Sequence, residues 1–181
     1  MKYLIKFFFA VILVAALVFA VKFFLFPFVY SLKEPYFEIP IETRGKIEHV
    51  EELPIRSDSY GDGVFGAKRK GGRRHTGLDL AANLGSPVYA SKSGWARVRV
   101  FPGGYGNLVI ISHPGNYETR YGHLMKVYIK RFQWVGQGRV IGSVGKTGNA
   151  NAKGILPHLH FEIRYKDKPL DPAVFLVKNG G

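Results

Sequence analysis

The sequence predicts an all-β domain built on an antiparallel sheet and preceded by an apolar N-terminal helix. Short β-branched and aromatic runs, such as Val88–Ala90, Trp95–Val100 and Leu108–Ile111, are typical of strands. Glycines separate these runs, and all 22 glycines of the chain lie after residue 44, which indicates tight turns. Beyond the N-terminal segment no long amphipathic helical pattern is found, so a predominantly helical domain is excluded.

The chain begins with an apolar segment that is long enough to cross a membrane. The run Phe7–Val21 has no charge and lies between Lys6 and Lys22, whose long side chains can reach the two interfaces. A charged start before an apolar run also fits a secretory signal, with a cleavage site after Ala20. Because the apolar character continues to Tyr30, we favour an uncleaved membrane anchor over a cleaved signal or a buried soluble helix. Both the membrane anchor and the cleaved signal would place the domain outside the cytoplasm.

Composition limits the chemistry that the chain can carry. The chain has no cysteine, which excludes thiolate metal sites, disulfides and lipid attachment through cysteine. Lysine and arginine number 26 against 13 acidic residues, a net charge of +13. The basic run Lys68–Arg74 could bind nucleic acid, an anionic envelope polymer or peptide carboxylates, or be a solvated loop. The membrane segment argues against nucleic acid, so we predict no nucleic-acid partner.

A His-x-His pair predicts a metal-binding strand. In an extended strand His158 and His160 share one face, while Leu159 and Phe161 face the other side. Two imidazoles above an apolar face are typical of a strand that supplies metal ligands. The pair alone is equally compatible with two surface histidines on an ordinary strand.

A second part of the candidate site lies upstream. His75 and Asp79 are four residues apart, but Gly77 and the alternation around Leu78 and Leu80 favour a loop that enters a strand over a helix. With His160 they would provide two imidazoles and one carboxylate. Zinc in hydrolases is typically held by three such protein ligands, with water at a fourth position.

Several motifs in a fixed order add to these histidines. His123 lies within Thr119–Leu124. The further motifs are Tyr60–Gly66, His75–Asp79, Gly85–Ala90, Gly104–Asn107, Tyr121–Leu124, Ile141–Gly148, Pro157–Ile163 and Asp171–Pro172. With them the chain, from about Ser59 to Leu176, resembles the lysostaphin-type zinc metallopeptidases, which cleave peptidoglycan cross-bridges.

The resemblance implies a role for five residues. His75, Asp79 and His160 match the ligands of one zinc ion, and His123 and His158 match the two catalytic histidines that do not bind the metal. Imidazole suits proton transfer near neutral pH. We therefore expect one of these two histidines to act as the base and the other to donate to the oxyanion, with the order undecided.

These observations predict a membrane-tethered zinc endopeptidase that hydrolyses the peptide cross-links of peptidoglycan. Its partners would be peptidoglycan stem peptides and the membrane, and its place the cell envelope, with the catalytic domain outside the cytoplasm. The alternative is a non-enzymatic envelope module that binds peptidoglycan or activates another hydrolase. A zinc peptidase that acts on proteins is a third class. The complete histidine set favours an enzyme, because a pure binding module needs no open zinc site.

The sequence predicts four parts of the chain. Residues 1–30 are the membrane anchor or uncleaved signal, 31–58 a proline-punctuated linker or neck, 59–177 the zinc peptidase domain with its zinc-containing groove, and 178–181 a tail.

Four further positions carry weaker expectations. We expect Glu162 to face away from the metal and to form a salt bridge, and His113 to have a structural role or to support the metal ligands. Arg131–Phe132 replaces a glycine turn that is usual in the family, which makes the local hairpin geometry unusual. The loop 149–156 is longer than the commonest family loop and precedes the metal strand, so it could shape the substrate groove.

Overall fold

The structure, a computed structural model, describes residues 1–43 and 45–176. The predicted tail, 178–181, and the last residue of the predicted peptidase domain lie outside the described residues.

An antiparallel sheet organises the domain. The strands of the described residues are β1 (Ser57–Asp58), β2 (Gly61–Asp62), β3 (Leu78–Ala81), β4 (Pro87–Tyr89), β5 (Gly94–Phe101), β6 (Gly106–Ser112), β7 (Tyr117–Leu124), β8 (Lys126–Val127), β9 (Trp134–Val135), β10 (Val140–Ser143), β11 (His158–Tyr165) and β12 (Lys168–Leu170). The main sheet has the order β12-β11-β7-β6-β5-β9, with β3 also paired to β11. A second sheet has the order β4-β10-β8, and β1 pairs with β2. Every pairing between these strands is antiparallel, as predicted.

The N-terminal segment is one long helix. It consists of α1 (Lys2–Ala20), a π-helical turn (Val21–Leu25) and α2 (Phe26–Lys33). The π-turn directly precedes Pro27, which cannot donate the usual helical hydrogen bond, and such local widening accommodates a helical proline. The helix Lys2–Tyr30 is 29 residues long, and an 18-residue window within it has a mean hydropathy of 2.9 and is not buried, so the helix could cross a membrane by length and composition. A short helix, α3 (Pro172–Leu176), closes the described chain.

The hydrophobic core joins both sheets and includes the segment predicted as a neck. Val88 and Ile141 of the smaller sheet are buried in one cluster with Leu159 and Phe161 of β11. The neck contributes the buried side chains of Phe37, Ile41 and Leu53 to the same cluster. Residues 31–58 are therefore packed against the sheets over part of their length and extend the core.

His113 is a structural residue within this core, as expected. Its Nδ1–H donates to the Ser93 carbonyl at 2.8 Å, and its Nε2 lies 2.9 Å from the hydroxyl of Thr119. The Thr119 hydroxyl also hydrogen-bonds the Tyr121 hydroxyl, and the ring of Phe37 contacts the imidazole edge-on. Burial lowers the pKa of His113 to about 4, so the ring is neutral in the folded protein at neutral pH.

This buried imidazole makes stability depend on pH. Its folded pKa is depressed, so its contribution is complete above pH 6.5 and is lost as the pH falls toward 4, because the unfolded chain takes up the proton first. The free energy of unfolding should decrease by up to about 3 kcal/mol across this range. Denaturant titrations of the full chain in detergent, one above pH 6.5 and one near pH 4, measure this decrease. The matched variant His113→Gln should have a flatter pH profile, and an identical profile would contradict the assignment.

Candidate metal centre

The pairing of β3 with β11 brings two of the predicted metal ligands together. Asp79 is directly opposite His160 in the antiparallel register, and side chains opposite each other share a face of the sheet. His75 lies in the loop before β3 and is held by two backbone hydrogen bonds to Ala67 and Gly66, each 2.9 Å. The loop can approach β11 because residue 77 is glycine: a Cβ there would lie 2.3 Å from the Phe161 carbonyl oxygen.

Three ligand atoms converge at this point. Nε2 of His75 lies 3.0 Å from Nδ1 of His160, and Oδ1 of Asp79 lies 3.0 and 2.8 Å from these two nitrogens. All three side chains are buried. Donors at the usual zinc distances in a tetrahedron are about 3.3 Å apart, so a small expansion of the cluster would accommodate the ion. The donor set of two imidazoles and one carboxylate fits zinc.

The other nitrogen of each ligand imidazole has a protein partner. Nδ1–H of His75 donates to the Val64 carbonyl at 2.8 Å, and Nε2–H of His160 donates to Oε1 of Glu162 at 3.1 Å. These hydrogen bonds fix the ring orientations and leave Nε2 of His75 and Nδ1 of His160 as the inward atoms. Metal-binding histidines almost always have such an outer acceptor.

The prediction that Glu162 faces away from the metal site is wrong. Residues i, i+2 and i+4 of a strand lie on the same face, so Glu162 follows His158 and His160 toward the site. Its carboxylate is fully buried and accepts hydrogen bonds from the hydroxyls of Thr76 (2.5 Å) and Tyr105 (2.8 Å) as well as from His160. The predicted salt bridge exists: Arg164 Nε donates to Oε2 at 2.6 Å. The alternating His-x-His-x-Glu pattern was the signal that could have revealed this role.

Two arginines hold the other oxygen of Asp79. Oδ2 accepts hydrogen bonds from Arg56 at 3.0 Å and Arg69 at 3.1 Å, so Oδ1 is the atom that remains for the metal cluster. Arg56 is buried, comes from the neck and was missed by the sequence analysis, since nothing local links it to Asp79. Arg69 belongs to the basic run, so one member of that run serves the metal site.

Burial and hydrogen bonding set the charges of the cluster. Burial would raise the pKa of Asp79, but hydrogen bonds from His160 and His75 hold it well below its usual range, so the residue is a carboxylate. Burial opposes protonation of His160, yet its hydrogen bonds to Asp79 and Glu162 raise its pKa to about 9. His160 is therefore protonated in this structure, and its positive charge balances the neighbouring carboxylates.

The two histidines predicted to be catalytic lie beside the cluster. The rings of His123 and His158 are 5.0 Å apart, and that of His123 is 5.7 Å from His160. Nδ1–H of His123 donates to the Thr147 carbonyl at 2.9 Å, and Nδ1–H of His158 donates to the Leu156 carbonyl at 2.7 Å.

Both of these imidazoles are neutral bases. Burial, together with the neighbouring His160 and His158, lowers the pKa of His123 to about 3. Burial also lowers the pKa of His158. Because Nδ1 of each ring carries the proton, each Nε2 has a free lone pair, and Nε2 of His158 lies 3.9 Å from Oδ1 of Asp79.

The backbone at His123 is strained. Its φ angle is 61°, in the left-handed region that few residues other than glycine adopt, and its N–H donates to the Tyr105 carbonyl at 2.7 Å. Such a conformation costs on the order of 1 kcal/mol and is commonly found at functional sites. The sequence pattern identified His123 but gave no indication of this conformation.

The loop 149–156, expected to shape the substrate groove, is fastened beside the metal strand. The Tyr60 hydroxyl donates to the Lys153 carbonyl at 2.8 Å, and the Leu156 N–H donates to Asp58 at 3.1 Å. These bonds join the loop to the β1–β2 hairpin. The Tyr105 hydroxyl also lies at the site, 2.8 Å from Glu162, whereas Tyr121 is buried in the core.

Comparison with protein families assigns the domain. Residues 73–172 match the family model Peptidase_M23, peptidase family M23. The matched segment is more than half of the chain and includes all five predicted site residues. The chain therefore belongs to peptidase family M23, the lysostaphin-type family, whose members are zinc metallopeptidases.

Three curated relatives illustrate the range of the family. The cell division protein DipM of Caulobacter vibrioides is 39% identical over 134 residues, which are 69% of this chain and 20% of that protein. The peptidoglycan DD-endopeptidase ShyB of Vibrio cholerae is 40% identical over 98 residues, 54% of this chain and 22% of ShyB. The murein hydrolase activator NlpD of Escherichia coli is 37% identical over 117 residues, 62% of this chain and 28% of NlpD. The chain thus spans about a fifth to a quarter of the length of these relatives.

Solved structures agree with this assignment. A zinc-containing peptidase from Vibrio cholerae has a TM-score of 0.60 and 32% identity, over 76% of this chain and 39% of that chain. The catalytic domain of lysostaphin from Staphylococcus simulans has a TM-score of 0.54 and 29% identity, over 72% of this chain and 96% of that domain.

The metal cluster can be tested directly. We expect His160→Ala to abolish zinc binding, because it removes one of three ligand atoms and the partner of Glu162. Zinc content after dialysis, measured by mass spectrometry, is the readout. His49→Ala, which removes an exposed histidine of the neck, is the matched control and should keep its zinc. Full zinc content in His160→Ala would disprove the assignment.

Glu162→Gln tests the outer hydrogen bond. The substitution keeps the size of the side chain but removes the charge that the His160 N–H meets, so zinc affinity should decrease by about 10- to 100-fold. Competition with a chromogenic chelator measures this change. An unchanged affinity in a folded variant would mean that Glu162 only supports the sheet.

Proposed function

We propose that this chain is a membrane-tethered zinc endopeptidase that hydrolyses peptide cross-links of peptidoglycan. The observation that carries the proposal is the arrangement of five side chains: His75, Asp79 and His160 as ligands of one zinc ion, with the neutral bases His123 and His158 beside them. A site for structural zinc alone would need a fourth protein ligand and no adjacent bases.

The five side chains would have two roles in amide hydrolysis: three hold the metal and two histidines transfer the proton. When bound, the zinc ion would lower the pKa of a coordinated water to about 7 and polarise the scissile carbonyl. In the reaction the water oxygen bonds to the carbonyl carbon, the C–N bond breaks, and the other proton of the water finally reaches the amine nitrogen that leaves. Nε2 of His123 or His158 accepts that proton, because Nδ1 of each ring is already committed to a backbone carbonyl. The histidine that carries a proton on Nε2 can then donate a hydrogen bond to the developing oxyanion.

The substrate and location follow from the family and the N-terminal helix. ShyB is named as a peptidoglycan DD-endopeptidase, which supports peptidoglycan stem peptides as the partners of this chain. The helix Lys2–Tyr30 would anchor the chain in the membrane, with the catalytic domain in the cell envelope outside the cytoplasm. In this proposal residues 1–30 are the anchor, 31–58 the neck and 59–177 the catalytic domain.

The second candidate is a module that activates another hydrolase. It is supported by the similarity to NlpD, which is named as a murein hydrolase activator. The presence of all three ligand side chains and both bases favours the enzyme, because activation through a protein contact does not require them.

Purified peptidoglycan provides the decisive assay. The full chain, loaded with zinc in detergent, should release new amino groups from peptidoglycan without any partner protein, and a chelator should stop the release. Mass spectrometry of the fragments would identify the bond. No release from a folded, zinc-loaded chain, together with stimulation of an added amidase, would favour the activator.

His123→Ala and His158→Ala separate catalysis from metal binding. Each variant should keep its zinc, since neither side chain is a ligand, and should lose at least about a hundredfold in turnover, the scale of a lost general base or oxyanion donor. His49→Ala is again the control and should be fully active. Normal turnover in either catalytic variant would refute the role proposed for that histidine.

A further inference from the structure

The end of the N-terminal helix is clamped to the domain by aromatic rings. The ring of Phe23 stacks on Trp95, with centroids 5.2 Å apart and planes 16° apart. Phe26 and Tyr30 contact Trp134 at 5.1 and 5.6 Å, and the two tryptophans contact each other at 5.3 Å. The helix therefore does not leave the domain through a free linker, and its end has a fixed place on β5 and β9.

This clamp lies at the height where a membrane would end. The segment from Lys2 to Val21 is about 30 Å long at 1.5 Å per residue, which matches the hydrocarbon core of a bilayer. Lys22 is the first charged residue after it, and its Nζ lies 6.0 Å from the centre of the Trp95 ring. Tryptophan is enriched at membrane interfaces. Both indoles are half-buried here and the Trp95 N–H is buried, so it is the apolar ring surface of Trp95 that can face lipid.

An exposed turn lies next to this tryptophan pair. The Phe132 N–H donates to the Ala96 carbonyl at 2.8 Å, which places the turn beside Trp95. The side chain of Phe132 is 66% exposed although its φ angle is 61°, so the position combines a strained backbone with an apolar ring in water. The guanidinium of Arg131 lies 4.4 Å from the centre of that ring. The unusual Arg131–Phe132 pair thus contributes nothing to the core and faces outward.

The metal centre lies toward the other end of the same strands. The register aligns Trp95 with Ser112, Ser112 with Glu118 and Glu118 with Arg164, so these residues form one row across the sheet. His160 is four residues from Arg164 along β11, about 13 Å away. A surface that contacts the row at Trp95 would leave the metal centre uncovered.

We propose that Trp95, Trp134, Arg131 and Phe132, here called the aromatic seat, lie in the headgroup region of a bilayer that contains anionic phospholipids. The indole and phenyl rings enter the interface, Arg131 pairs with lipid phosphates, and the net charge of +13 attracts the anionic surface. The seat holds the catalytic domain on the membrane with the metal centre facing away from it. This inference depends on the membrane tether of the proposed function, but not on the endopeptidase activity.

Tryptophan fluorescence tests the seat without any substitution. The chain has two tryptophans, and both belong to the seat. The full chain is reconstituted in vesicles of phosphatidylcholine and phosphatidylglycerol, some of whose acyl chains are brominated near the glycerol. The seat predicts blue-shifted emission that brominated lipids quench strongly and aqueous iodide quenches weakly. Strong quenching by iodide and none by bromine would overturn it.

A movable probe tests the turn itself. In a background with Trp95→Phe and Trp134→Phe, which keeps aromatic rings in the clamp, Phe132→Trp places a single tryptophan in the turn. Tyr60→Trp in the same background is the matched control, because Tyr60 is also exposed but lies beside the loop at the metal end. Brominated lipids should quench the probe at position 132 at least twofold more than that at position 60. Equal quenching, in variants that retain zinc, would overturn the seat.

Flotation of the vesicles separates the two proposals. Chain that floats with the vesicles but shows no quenching difference would leave the tether intact and refute the seat. Chain that does not float would refute both. The peptidoglycan assay is independent of these results.

Discussion

The pairing of two strands is the constraint on which the site depends. Because β3 lies antiparallel to β11 with Asp79 opposite His160, a carboxylate and an imidazole from distant parts of the sequence meet on one face of the sheet. Gly77 permits the close approach that this pairing needs, and the preceding loop then delivers His75. The opposite face of β11 is buried in the core, so a slip of one residue would expose Leu159 and Phe161 and bury the imidazoles in apolar surroundings.

The imidazoles of the site follow one rule of orientation. Each has one ring nitrogen committed to a protein acceptor: His75, His123 and His158 to backbone carbonyls, and His160 to the carboxylate of Glu162. The second nitrogen of each ring is left without that commitment and can bind a metal or exchange a proton. Since a carbonyl can only accept a hydrogen bond, the fold determines that Nδ1 carries the proton in these three rings.

Apart from Glu162, the sequence predicts the features that depend on local spacing, and it does not reveal those that depend on contacts between distant residues. The strand-like runs predict the antiparallel fold. The two-residue spacing of His158 and His160 predicts that they share a face of one strand. The prediction for Glu162 is wrong although the same two-residue spacing puts it on the face of His158 and His160. Arg56 could not be recognised, since its partner Asp79 is 23 residues away and no periodicity joins them. The left-handed backbone of His123 depends on its bond to Tyr105 and is equally invisible to a pattern.

The packing of residues 31–58 limits how far the candidate metal site could move from the N-terminal helix. Fully extended, residues 31–58 would let the candidate metal site lie up to roughly 90 Å from the end of the N-terminal helix. Instead Glu34 bonds to Ser93, Phe37 and Leu53 are buried in the core, and Arg56 is tied to Asp79. A chain fastened in this way has almost no reach. If the proposed function holds, the polymer would have to come to the site, and the accessible layer of the wall would be set by the height of one folded domain above the membrane.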